Sequence, residues 1–165
     1  MKYLIILLSL LGLAKAQQAG SLAPEFKLVD SESNVIELKD FGGQPLVLNF
    51  WASWCTPCKE ELPLLQELSE DVDGITILLI NNSERLEQVS AYLESNAITL
   101  RTAVDTESFE EVDKTLTVLR RYRVRGLPTT VFIDAEGYIS SQYVGQLSSK
   151  ILTERLAEIG VSWQP

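Results

Sequence analysis

Histidine is absent from this 165-residue chain, methionine occurs only at position 1, and there are just two cysteines. Without histidine there is no Ser-His or Cys-His couple, which excludes the common hydrolases that pair a nucleophile with an imidazole base. A zinc site needs about four Cys, His or carboxylate ligands, and two cysteines with no histidine fall short of one. Covalent haem attachment requires a histidine directly after the second cysteine of a Cys-x-x-Cys pair, and Lys59 stands there. Basic residues are scarce as well: 14 Lys and Arg face 23 Asp and Glu, a formal charge of −9. That balance speaks against a nucleic-acid partner. The longest N-terminal apolar run, Tyr3 to Leu13, is shorter than the roughly 20 residues that span a bilayer.

What the chain does have is both cysteines in one pentapeptide, Trp54-Cys55-Thr56-Pro57-Cys58. A disulfide here encloses only Thr56 and Pro57, which loop entropy values at roughly 2 kcal/mol, a poor structural staple. The pair therefore reads as a redox-active dithiol. Leu46 to Trp51 is a buried apolar strand and Lys59 to Asp71 a helix by periodicity, so Cys55 lies at a helix N-terminus. Free amides and the positive end of the helix dipole favour a thiolate there, making Cys55 the attacking thiol. Cys58, one turn further in, is the resolving thiol that closes on the mixed disulfide. Pro57 stiffens the loop, and Pro63 inside the helix predicts a kink.

Lys2, the apolar run and then Ala14-Lys15-Ala16 follow the pattern of a secretory signal with a small-x-small cleavage site. Residues 1–16 are read as a signal peptide and 17–165 as one domain, large enough for its own core. The mature chain starts at Gln17, and losing Lys2 and Lys15 takes the charge to −11. An uncleaved membrane anchor is the alternative. Export implies a periplasmic or other extracytoplasmic address, yet every cysteine is committed to one site.

From Glu25 to Leu38 apolar and polar residues alternate around Ser31-Glu32-Ser33-Asn34, which predicts a hairpin ahead of the main fold, an edge decoration. Gly42-Gly43-Gln44-Pro45 turns into the Leu46 strand. Leu62, Leu65, Leu68 and Val72 share one helical face. Ile75 to Ile80 is a second buried strand, followed by a helix capped by Asn82 or Ser83 with Leu86, Val89 and Leu93 at helical spacing. Thr102 to Val104 is a short strand, and Val112, Leu116 and Leu119 form a further helical stripe. Thr129 to Ile133 and Tyr138 to Val144 are antiparallel strands joined by Glu136-Gly137, and Ile151 to Ile159 is a closing helix. The order is βαβ, an inserted αβα, then ββα: an α/β fold with a central mixed sheet and helices on both faces.

Phe50-Trp51-Ala52-Ser53-Trp54-Cys55-Thr56-Pro57-Cys58 together with Gly126-Leu127-Pro128-Thr129 resembles the thioredoxin superfamily. The likeness spans roughly Ala23 to Gly160. The hairpin, the αβ insertion and Cys58-Lys59-Glu60-Glu61-Leu62-Pro63 resemble its exported TlpA/ResA/CcmG-like group. That group comprises thiol-disulfide oxidoreductases associated with cytochrome c maturation and redox housekeeping. The resemblance implies a thioredoxin fold, a protein disulfide as substrate (an apocytochrome c among the candidates), a membrane thiol relay as reductant, and no bound cofactor or metal. It also implies a cis bond before Pro128 and places Leu127, Pro128 and Thr129 opposite the cysteines as substrate contacts. Thioredoxins carry a buried acid six positions before the first cysteine, where this chain has Asn49. The ResA-like group instead has a Glu three residues after the second cysteine, here Glu61, a candidate third catalytic residue on the Cys58 side of the helix. A carboxylate there disfavours the thiolate and is placed to take the Cys58 proton; the alternative is an ordinary solvated helical Glu. Trp54 is a candidate cap over the site and Trp51 core, with packing the commoner role for both.

Arg120, Arg121, Arg123 and Arg125 form a basic knot just before the Leu127-Pro128 loop, read either as a partner-docking patch or as a solvated helix end. Two further functions compete with the oxidoreductase. A redoxin-type thiol peroxidase uses Pro-x-x-x-Thr-x-x-Cys, but Trp51 stands where that proline belongs. A copper or assembly chaperone fits two thiols, but not the missing His and Met ligands.

Overall fold

The computed structural model describes residues 19–105 and 117–165. The proposed signal peptide 1–16 and the stripe positions Val112 and Leu116 lie outside the described residues. Seven strands form one mixed sheet in the order β2-β1-β5-β4-β3-β6-β7. They are β1 (Lys27–Asp30), β2 (Val35–Glu37), β3 (Leu46–Trp51), β4 (Thr76–Asn81), β5 (Thr102–Val104), β6 (Thr129–Ile133) and β7 (Ile139–Val144). The helices are α1 (Thr56–Asp71), α2 (Leu86–Ser95), α3 (Val118–Arg121) and α4 (Ser149–Glu158). After the hairpin the element order is the anticipated βαβ, αβα, ββα. Among the described residues no helix is long and apolar enough to cross a membrane.

β3 lies inside the sheet, between β4 and β6, because its sequence suits a strand covered on both faces: all six residues, Leu-Val-Leu-Asn-Phe-Trp, are buried. Successive side chains alternate between the two cores. Val47 and Trp51 meet Leu62, Leu65 and Leu68 of α1, Val89 and Leu93 of α2, and Leu152 and Leu156 of α4. Leu46, Leu48 and Phe50 face Phe26, Ile36, Phe41, Val118 and Tyr122. β3 runs parallel to β4 and antiparallel to β6, so the loop after β3 and the loop before β6 open at the same end of the sheet.

Three details depart from the sequence reading. The hairpin does lie at one edge of the sheet, but it is joined to the main fold rather than set ahead of it, because β1 pairs antiparallel with β5 through Val29↔Val104 and Asp30↔Ala103. Asp30 secures that junction: it accepts the amides of Glu32 and Asn34 and pairs with Arg101 at 2.9 Å. α1 starts three residues earlier than periodicity suggested, since Pro57 fits the first turn of a helix and Cys55 caps it. Pro63 lies inside α1 as expected, with its ring exposed, and its missing N–H leaves the Lys59 carbonyl without a helical donor. α2 is flanked by Arg85 rather than capped by Asn82 or Ser83. The Ser83 hydroxyl is occupied elsewhere, donating to the Asp105 carbonyl at 2.7 Å.

Candidate functional site: a disulfide at a helix N-terminus

Cys55 and Cys58 form a disulfide. Cys55 is the N-cap of α1, and its Sγ accepts from the Cys58 amide at 3.3 Å. Cys55 is 5 % exposed and Cys58 is fully buried, so an incoming sulfur reaches Cys55 first. The first turn of α1 holds no acidic residue, and the free amides at this helix end offer a developing thiolate its stabilisation.

Glu61 sits one turn below Cys58 and is 1 % exposed, which rules out the solvated helical Glu. Its Oε1 accepts from Asn49 Nδ2 on β3 at 2.7 Å, and its Oε2 from the Leu147 amide, in the loop between β7 and α4, also at 2.7 Å. Burial pushes this carboxyl up from 4.5 to about 7, against the pull of those two bonds. It therefore changes charge near neutral pH. Asn49 also donates to Thr130 Oγ1 at 2.9 Å, across the register pair Asn49↔Thr130, while its own Oδ1 is buried without a partner. The position that carries an acid in thioredoxins thus holds the amide that grips Glu61.

The Leu127–Pro128 bond is cis. Thr129 opens β6 opposite Phe50, and the Gly145 amide donates to the Pro128 carbonyl at 2.9 Å. This loop stands at the sheet end where β3 delivers Cys55. Leu127 is half-buried, whereas Pro128 and Thr129 are buried, and the Thr129 hydroxyl donates to the Gly126 carbonyl at 2.7 Å. The Thr129 side chain shapes the loop and presents nothing outward. Trp51 is core, but Trp54 is 64 % exposed; packing is not its role. The reason is local: Ser53 and Trp54 lie in the turn between β3 and α1.

That turn is held by a residue that the sequence reading missed. Glu84 accepts the Ser53 amide at 2.7 Å, the Ser53 hydroxyl at 2.5 Å and Asn81 Nδ2 at 2.7 Å. Burial raises its carboxyl, and the bonds from Asn81 and Ser53 outweigh that and hold it below the usual carboxylate range. Nothing in a linear pattern joins position 84 to position 53.

The AhpC/TSA family model matches residues 19–142. Over 146 residues the chain is 32% identical to the thiol-disulfide oxidoreductase ResA of Geobacillus thermodenitrificans, covering 87% of this chain and 79% of that one. The chain belongs to the AhpC/TSA family. Within it, this protein is a thiol-disulfide oxidoreductase of the ResA type. StoA of Bacillus subtilis, a solved structure 25% identical, superposes with a TM-score of 0.65 over 81% of this chain and 97% of its own. A thiol:disulfide interchange protein of the thioredoxin family from Chlorobium tepidum TLS gives a TM-score of 0.71 at 24% identity, covering 87% of this chain and 99% of that one. The fold of this AhpC/TSA-family member is the thioredoxin fold that the Cys55 and Pro128 motifs indicated.

Proposed function

We propose that the Cys55–Cys58 couple works outside the cytoplasm as a reductant of protein disulfides. The supporting observation is the asymmetry of the pair: Cys55 caps α1 and keeps a sliver of exposure, while Cys58 has none and lies one turn from a buried carboxyl that titrates near 7. In the reduced protein the Cys55 thiolate attacks one sulfur of the substrate disulfide, forming a mixed disulfide and expelling the other substrate sulfur as a thiolate. Cys58 then gives its proton to Glu61 and attacks Cys55 Sγ. The Cys55–Cys58 bond forms, the mixed disulfide breaks, and the second substrate thiolate leaves. Two electrons pass to the substrate, and its two thiolates take up protons. Leu127 and the backbone before cis-Pro128 hold the extended substrate strand, and Trp54 covers the exchanging sulfurs.

Electrons return from a membrane thiol relay, and an apocytochrome c with its paired cysteines is the substrate that the ResA likeness favours. Residues 1–16 serve as the export signal, leaving Gln17 as the mature N-terminus. Incubating the pre-reduced Cys58→Ala variant with extracytoplasmic proteins tests the scheme. It should accumulate mixed disulfides through Cys55, and a failure to trap any partner contradicts it.

A further inference from the structure

Four of the chain's 14 basic residues fall between positions 120 and 125, a stretch with no acidic residue. A helix-end role explains little of this. α3 is a single turn, Val118–Arg121, and Arg123 and Arg125 lie beyond its C-cap Tyr122. Arg121 is engaged, its Nη1 donating to the Glu25 carbonyl at 2.9 Å. Arg120, Arg123 and Arg125 are exposed, and among the described residues no carboxylate pairs with any of them. Arg123 holds a left-handed φ of 53°, at a place just after a helix where glycine is the easier residue.

Position gives the patch its meaning. Arg125 is two residues from Leu127, and Thr129 pairs with Phe50 at the sheet end that carries Cys55. The three arginines therefore lead in sequence into the loop at the sheet end that carries Cys55, on a protein whose net charge is strongly negative. We propose that Arg120, Arg123 and Arg125 form a docking surface for an acidic segment flanking the disulfide of the substrate protein. This rests on the oxidoreductase reading and names its substrate class. Positive charge beside the site speeds the encounter with acidic partners and offsets the repulsion that they meet from the rest of the surface.

The test uses the pre-reduced full-length protein and a matched set of disulfide peptides flanked by Glu, Gln or Lys. Second-order rates of oxidation are read by acid quench and alkylation and normalised to the rate with uncharged hydroxyethyl disulfide, which reports thiol exchange alone. The wild type should prefer the Glu peptide over the Lys peptide by about tenfold at low salt, and 0.5 M salt should collapse the preference. The Arg120→Gln/Arg123→Gln/Arg125→Gln protein should lose it, and the corresponding triple Glu substitution should invert it. Equal rates with the three peptides, or a preference that survives the triple substitution, overturns the docking proposal. No oxidation by hydroxyethyl disulfide would instead overturn the oxidoreductase reading beneath it.

Discussion

Glu61 and Asn49 are joined by a 2.7 Å hydrogen bond between α1 and β3, closed off from solvent. The bond ties the titration of a buried carboxyl to the strand that delivers Cys55. Ionised Glu61 is held by two donors, Asn49 Nδ2 and the Leu147 amide, yet burial still dominates its pKa. A carboxyl that releases its proton near 7 and lies one turn from Cys58 is placed to exchange protons with the resolving thiol.

Removing that charge should be visible in the thiols. Glu61→Gln deletes a like charge, so the Cys55 and Cys58 pKa values should fall, as read by thiolate absorbance. Turnover of a small disulfide at neutral pH should slow, and the inflection near 7 in the rate profile should vanish. If neither titration nor rate moves, Glu61 takes no part in the exchange.

The same carboxyl governs stability in the oxidised protein, where the cysteines do not titrate. Because its folded pKa, about 7, lies above the ordinary 4.5, the folded state holds a proton that the unfolded state has lost between those values. Stability should therefore fall as pH rises from about 4.5 to about 7, by on the order of 3 kcal/mol, and level off above. Urea unfolding across pH 4.5 to 8 measures the slope, and Glu61→Gln should flatten it.

Asn49→Leu leaves Glu61 with the Leu147 amide as its one remaining donor. The carboxylate loses stabilisation, so its pKa should climb by about one further unit. The rate inflection would move with it. Loss of the unpartnered Asn49 Oδ1 should offset part of the stability cost.

Glu84 makes a prediction of opposite sign. Its carboxyl is held low by Asn81 and Ser53 against the upward push of burial, so what it contributes is present above pH 4.5 and lost as pH falls through its folded value. Glu84→Gln should cost about 1 kcal/mol at pH 7, discounted for its partial exposure. It should also loosen the turn at Ser53, seen as a change in the near-UV signal of Trp54.

The site core was legible because its parts are contiguous. Cys55, Cys58 and Glu61 fall within seven residues, and strand and helix periods on either side fix where they point. Both halves of the αβ order were legible for the same reason. The partners of Glu61 were not, since Leu147 meets it across 86 positions and only the packing of α1 against β3 brings Asn49 to it. The choice between cap and packing for Trp54 was not legible because aromatic burial is an average tendency, whereas its exposure goes with its place in the turn that Glu84 holds at Ser53. The β1–β5 pairing escaped because Val29 and Val104 are equally good strand residues in many registers.

The direction of electron flow is tested most directly by the reduction potential of the Cys55–Cys58 couple, measured by equilibration against glutathione buffers. A reductant of protein disulfides should give a value well below the roughly −120 mV of a strong oxidant, each ~30 mV being worth ~1.4 kcal/mol. A value near −120 mV would contradict the account and make the protein a donor of disulfides.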